Sequence, residues 1–324
     1  LAPLLRKKSS ASASPLPAMQ GAQGDAAGAC EGAEAASPLG ARPDVLPHDA
    51  LREVIEQVVA AAPDRLYVDC VFSSAERARW LLSLLGRGGR LRSLVLDGAL
   101  MRAALAVQEE DPRFQALARP LGDFEAAVQE PVSGVFFDMG ALKAQEEQRE
   151  LGAQVVAEDE QLGTCSHRPD GGESAILDWL RSVSGVELAG VIDRFGILYD
   201  PLLSERIAEG ILLRQRARGM EGESASRLAS GVLEDFRPEF EPERPYLRGD
   251  WIVRAIRIFR SQAPAQLRAA LEQAFALLEP GGRCVVASVR KWEMEVVRRF
   301  VHDHEEPSSQ ALEGVAPERL AQLF

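Results

Sequence analysis

Three short runs that read as strands, each rich in Leu, Val or Phe and each carrying an aspartate, do most to limit what this chain can fold into. They are LYVDCVF (66–72), RLRSLVLD (90–97) and VSGVFFD (132–138). Segments of helical period lie around them. Leu51, Val54, Ile55, Val58 and Val59 recur at helical spacing, with Asp49 placed to cap them and Pro63-Asp64 to break the helix. Further helices are expected over about 75–85 and 99–109. Apolar runs this short fit strands buried on both faces, and strands alternating with helices build a parallel sheet covered on both sides. The expected fold class is α/β, Rossmann-like.

The remainder divides by composition. Residues 1–43, dense in Ala, Gly, Ser and Pro, show no apolar period and read as a disordered linker or transit-type segment. Arg6, Lys7 and Lys8 beside Ser9, Ser10, Ser12 and Ser14 suit an organellar (chloroplast or mitochondrial) address, which Asp25, Glu31 and Glu34 weaken; the alternative is the cytoplasm. An α/β domain is expected from 44–145 and 246–305, interrupted by a helical insertion at 146–245 and followed by a tail at 306–324. Within the insertion, Leu203, Ile207, Ile211 and Leu212 form a helical stripe, and 224–236 is a second short helix. A long helical pattern over about 250–279 should be kinked or divided by Pro264. The turn EPGGR (279–283) then leads into a strand, CVVASV (284–289), and a closing helix over 292–302.

With 46% hydrophobic residues the chain can bury a real core, and no run is long and apolar enough to span a membrane. Four cysteines, far apart and without a CxxC or Cys/His cluster, exclude a recognisable zinc site; no metal is expected. No Ser/His/Asp or Cys/His arrangement is legible, and the four histidines read as surface residues. Net charge is −12 but unevenly spread. Residues 104–173 hold 15 acids and 5 bases, whereas 244–299 hold 11 bases and 5 acids, among them Arg248, Arg254, Arg257, Arg260, Arg290, Lys291, Arg298 and Arg299. Solvated helix faces would explain any one of these arginines; the run together points to a docked polyanion, a specific RNA site.

In an open parallel sheet, ligands bind beyond the carboxyl ends of the strands, where Asp69, Asp97 and Asp138 are predicted. An acid ending the second strand suits ribose hydroxyls; the plainer alternative is that each acid caps the next helix. A nucleotide-binding sheet also needs a Gly-rich turn after its first strand, because backbone must approach the ligand. Here that turn is Ser73-Ser74-Ala75-Glu76-Arg77, without a glycine.

In order, PDRLYVD (63–69), GGRLRSLVLD (88–97), DPRF (111–114), FFDMG (136–140) with Gln145, AIRIF (255–259), LEPGGR (278–283), SVRKWEM (288–294) and VVRRF (296–300) resemble the motifs of the bacterial-type S-adenosylmethionine-dependent rRNA cytosine-N4 methyltransferases, the RsmH or MraW family. The resemblance implies a class I methyltransferase sheet with an inserted helical domain, acting on a flipped-out cytosine of small-subunit rRNA. By position it assigns cofactor contacts to Asp97, Asp138, Gln145, Ala75, Glu76, Arg77 and Leu121, and names no catalytic residue. The ribosomal small subunit or its rRNA is the implied partner, with the oligomeric state open and a dimer among the options.

The chain departs from the family where catalysis is concentrated. Ala75-Glu76-Arg77 replaces Gly-Gly-His, Ala141-Leu142-Lys143-Ala144 replaces the small polar segment after the acid, and Arg290 stands at the closing motif's histidine. The central motifs have no counterpart between 146 and 190. The alternative expectation is therefore a catalytically inactive, RNA-binding paralogue acting in ribosome assembly or structure.

Overall fold

A computed structural model describes residues 4–6, 48–153, 172–196, 200–218, 224–236 and 249–305. Its described strands form a six-stranded sheet, β1 (Leu4–Arg6), β2 (Leu66–Asp69), β3 (Arg90–Leu94), β4 (Phe114–Leu117), β5 (Val132–Asp138) and β6 (Leu278–Ala287), in the order β1-β6-β5-β2-β3-β4. All neighbours are parallel except β1, which pairs antiparallel with β6. The chain runs outward from β2 through β3 to β4, then crosses back to lay β5 on the other side of β2. The direction of winding thus reverses between β2 and β5, which makes the space beyond their carboxyl ends the natural ligand crevice.

The sheet is fully apolar on both faces where the sequence is: β2 is buried throughout, and five successive residues of β5, Gly134–Asp138, are buried. One face carries α1 (His48–Ala60), α2 (Ala75–Leu84) and α3 (Met101–Glu110), packed through Ile55, Val58, Leu81, Ala104 and Val107. The other carries α4 (Phe124–Val128), α11 (Ala263–Leu277) and α12 (Lys291–Glu305), packed through Phe124, Leu267, Leu271, Val297 and Phe300. A separate core joins α6 (Gly172–Ser182), α7 (Gly185–Phe195), α8 (Pro201–Arg218), α9 (Ala225–Phe236) and α10 (Gly249–Arg260). α10 belongs chiefly to this helical core through Trp251, Ile252, Val253, Ala255 and Ile256, and reaches the sheet core through Ile258. α5 (Met139–Ala153) leaves the end of β5 and leads toward the helical body.

Several sequence expectations change in detail. The 1–43 linker contributes β1, because the outer edge of β6 is open to a short apolar segment; residues 7–43, and with them most of the transit-type segment, lie outside the described residues. β4 escaped the period because only Phe114 of its four residues is buried, as suits an edge strand. The second run stops at Leu94 instead of Asp97. The 250–279 helix is divided, as expected, by Ser261-Gln262, with Gln262 left-handed at φ 53° and Pro264 in the first turn of α11, where no amide donor is needed. The 279–283 turn is an irregularity inside β6: Leu278 lies opposite Val132 and Arg283 opposite Gly134, with Gly281 at φ +86° absorbing the detour. Gly134 lets the Tyr67 ring lie flat on the sheet, since a Cβ there would stand 2.7 Å from Tyr67 Cδ1.

Candidate active site at the ends of strands β2 and β5

β2 and β5 run parallel in register, Asp69 opposite Phe136, so both strands deliver an aspartate to the same end of the sheet. Asp69 is 1% exposed and Asp138 7%. Between them lies Arg77, projected from the first turn of α2. Its Nη1 is 3.1 Å from Asp138 Oδ2 and its Nη2 3.8 Å from Asp69 Oδ1. The local sequence explains why the helix starts there. Ser74 is extended, and its hydroxyl accepts the Arg77 amide at 3.1 Å, a side-chain N-cap. Ser74 thus starts α2 by a side-chain cap, in a turn that has no glycine.

Each acid has a second partner. The Ser93 hydroxyl donates to Asp69 Oδ2 at 3.1 Å, and the Ala141 amide donates to Asp138 Oδ1 at 3.0 Å. Asp138 therefore caps α5 with one oxygen and pairs with Arg77 through the other. Burial pushes the Asp69 carboxyl up to about 6, opposed by the Arg77 guanidinium and the Ser93 hydrogen bond and reinforced by Asp138. Gln145 reaches back from α5, its amide donating to the Phe72 carbonyl at 2.8 Å, which ties α5 to the segment leaving β2.

Of the residues assigned to a cofactor by sequence, the structure gathers Arg77, Asp138 and Gln145, buried, at this end of the sheet. Ala75 is half-buried against the α1–α3 face and Glu76 is exposed, both in the first turn of α2. Asp97 lies three residues beyond β3, where it caps a 3₁₀ turn by accepting the Ala99 amide at 3.0 Å; Val95, directly after the strand, is buried. Leu121 packs with Phe124 in the core on the opposite face of the sheet from Ala75. Sequence reasoning named Asp69 as a strand-end acid but missed that Arg77 pairs with both acids. The available signal was an arginine in the turn directly after a strand that carries an aspartate.

The basic run is also rearranged by folding. Arg254 pairs with Glu147 at 3.1 Å, and Arg290 pairs with Glu146 and, at 3.5 Å, with Glu293. Much of the charge asymmetry seen along the chain is thus met within it, α5 supplying the acids. Glu293 is fully buried, and its Oε2 accepts the Val289 and Arg290 amides at 2.8 and 2.9 Å, fixing the turn from β6 into α12. Burial raises its carboxyl, against the pull of Arg290 and those amides. Lys291, Arg298 and Arg299 are exposed, and Arg257 and Arg260 half-exposed; Arg248 lies outside the described residues.

The crevice suits a cationic ligand. Two carboxylates converge there, and Asp69 Oδ1, Gln145 Oε1, and Nε and Nη2 of Arg77 are buried without a hydrogen-bond partner. Buried polar atoms without a partner call for one, a water or a polar group of a ligand. The crevice's unpaired acceptors, Asp69 Oδ1 and Gln145 Oε1, beside two carboxylates, fit the positively charged methionyl end of S-adenosylmethionine. Among the described residues no helix is long and apolar enough to cross a membrane.

Residues 45–320 match the MraW methylase family. The chain is 32% identical to the ribosomal RNA small subunit methyltransferase H of Nitrosococcus oceani over 261 residues, 78% of each protein. It is 32% identical to the protein of that name from Burkholderia mallei over 281 residues, 84% of this chain and 85% of the relative.

Proposed function

The chain belongs to the MraW methylase family, whose members are S-adenosylmethionine-dependent rRNA methyltransferases, and from that premise we propose that it methylates the exocyclic amine of a cytosine in small-subunit rRNA. The observation that carries this reading is the meeting of Asp69, Asp138 and Gln145 at the point where the sheet's winding reverses. When bound, S-adenosylmethionine supplies an electrophilic methyl group. Asp138 and Asp69 would hold the positive charge of its methionyl end, Gln145 would accept from its ammonium, and Asp97 would take ribose hydroxyls. The chain has little covalent work to do: it must orient the amine, exclude water and accept a proton. A cytosine inside a helix must be extruded to reach the crevice. The RNA would run along the exposed Lys291, Arg298 and Arg299 of α12 and the half-exposed Arg257 and Arg260 of α10. The compartment is that of the ribosome being assembled, in an organelle or in the cytoplasm.

A second reading, a paralogue that binds rRNA without methylating it, is favoured by the glycine-free turn and by Arg77 standing in the crevice. Transfer of labelled methyl from S-adenosylmethionine to small ribosomal subunits, followed by digestion to nucleosides, separates the two. Label in N4-methylcytidine is expected. RNA binding with no label would leave only the paralogue.

A further inference from the structure

The crevice already contains a cation. Arg77 is 9% exposed at its side chain and forms ion pairs with both strand-end acids, yet its Nε and Nη2 make no hydrogen bond. It is thus held by charge more than by directed hydrogen bonds. The guanidinium comes from the first turn of a helix, not from the sheet. Its departure would strand two buried carboxylates unless another positive charge arrived with it.

We propose that Arg77 is a displaceable stand-in: it closes the Asp69–Asp138 pair in the free protein, and a ligand carrying its own cation takes its place. This rests on the proposed function for the identity of the ligand, whose ammonium is the entering charge. Exchange of cation for cation keeps both carboxylates compensated, whereas a neutral nucleoside gains nothing from expelling the guanidinium. Arg77 therefore lowers affinity for the complete ligand and makes cofactor entry a competition.

The test is calorimetric titration of the full chain, wild type, Arg77→Ala and Arg77→His, with S-adenosylhomocysteine, which keeps the ammonium, and with 5′-methylthioadenosine, which lacks it. Arg77→Ala should bind S-adenosylhomocysteine about tenfold or more tighter than wild type, with methylthioadenosine changed by less than about twofold. Arg77→His, smaller but still able to donate, should fall between and serves as the reading if the alanine variant does not fold. Equal or weaker binding of S-adenosylhomocysteine by the variants overturns the stand-in while leaving the proposed function intact. An equal gain for methylthioadenosine overturns the charge exchange. Failure of folded wild type and variants alike to bind either ligand overturns both this inference and the proposed function.

Discussion

Replacing Asp69 by Asn should invert the usual effect of pH on this fold in a calculable way. The Asp69 carboxyl ionises near 6 in the folded chain against an ordinary value of 3.8. A carboxyl whose value is raised binds its proton more tightly when folded, so its stabilising contribution is complete below about pH 4 and is lost as pH rises through 6. The shift of roughly 2 units corresponds to about 3 kcal/mol at 1.36 kcal/mol per unit, of which about half falls between pH 5 and 8. Asn cannot titrate, but it keeps an acceptor for Ser93, and Arg77 keeps Asp138 at 3.1 Å. The groups facing Asp69 are Arg77 from α2, Asp138 from β5 and Ser93 from β3, and all remain in the variant. The stability of Asp69→Asn minus that of wild type should therefore rise by about 1–2 kcal/mol from pH 5 to pH 8, read by urea unfolding at each pH. In thermal melts the same difference corresponds to roughly 1.5–3 °C for a chain of this length. A difference that stays flat, or that falls as pH rises, would refute the burial of an uneasy carboxylate behind Arg77.

Other outcomes follow from the same geometry. Glu293→Ala strands the amides of Val289 and Arg290 and should lower stability by about 3 kcal/mol in urea unfolding, while Glu293→Gln, which retains an acceptor, should lose about 1 kcal/mol. Gly134→Ala drives a methyl into the Tyr67 ring and should cost about 1–3 kcal/mol in the same assay, with no change in RNA affinity. Arg298→Glu with Arg299→Glu should weaken binding to small-subunit rRNA fragments and reduce the slope of log affinity against log salt by about 1–2, without shifting the melting temperature. Arg254→Ala, which breaks the pair with Glu147, should show the reverse: lower melting temperature, nearly unchanged salt slope.

The sheet was legible where strands are buried on both faces. β2 and β5 are nearly continuous apolar runs, so their existence and their acids followed from composition over a few residues. β4 was not legible because an edge strand with one buried residue carries almost no period. The site was half legible. Asp69, Asp138 and Gln145 were in view, but Asp97 was placed at a strand end because Val95 and Leu96 extend the apolar run past the last sheet residue, Leu94. The direction of Arg77 is set by where the winding reverses, a property of strand order that no local pattern encodes. The same holds for the basic run: Arg254 and Arg290 meet acids 107 and 144 residues away in the chain, a pairing only the tertiary fold creates.

The crevice between β2 and β5 stands or falls most directly on a crystal structure of the protein soaked with S-adenosylhomocysteine. The ligand's ammonium should lie against Asp138 and Asp69, with the Arg77 side chain swung out of the pair. Ligand bound elsewhere on the molecule, or seated there with Arg77 still between the two carboxylates, would contradict the account.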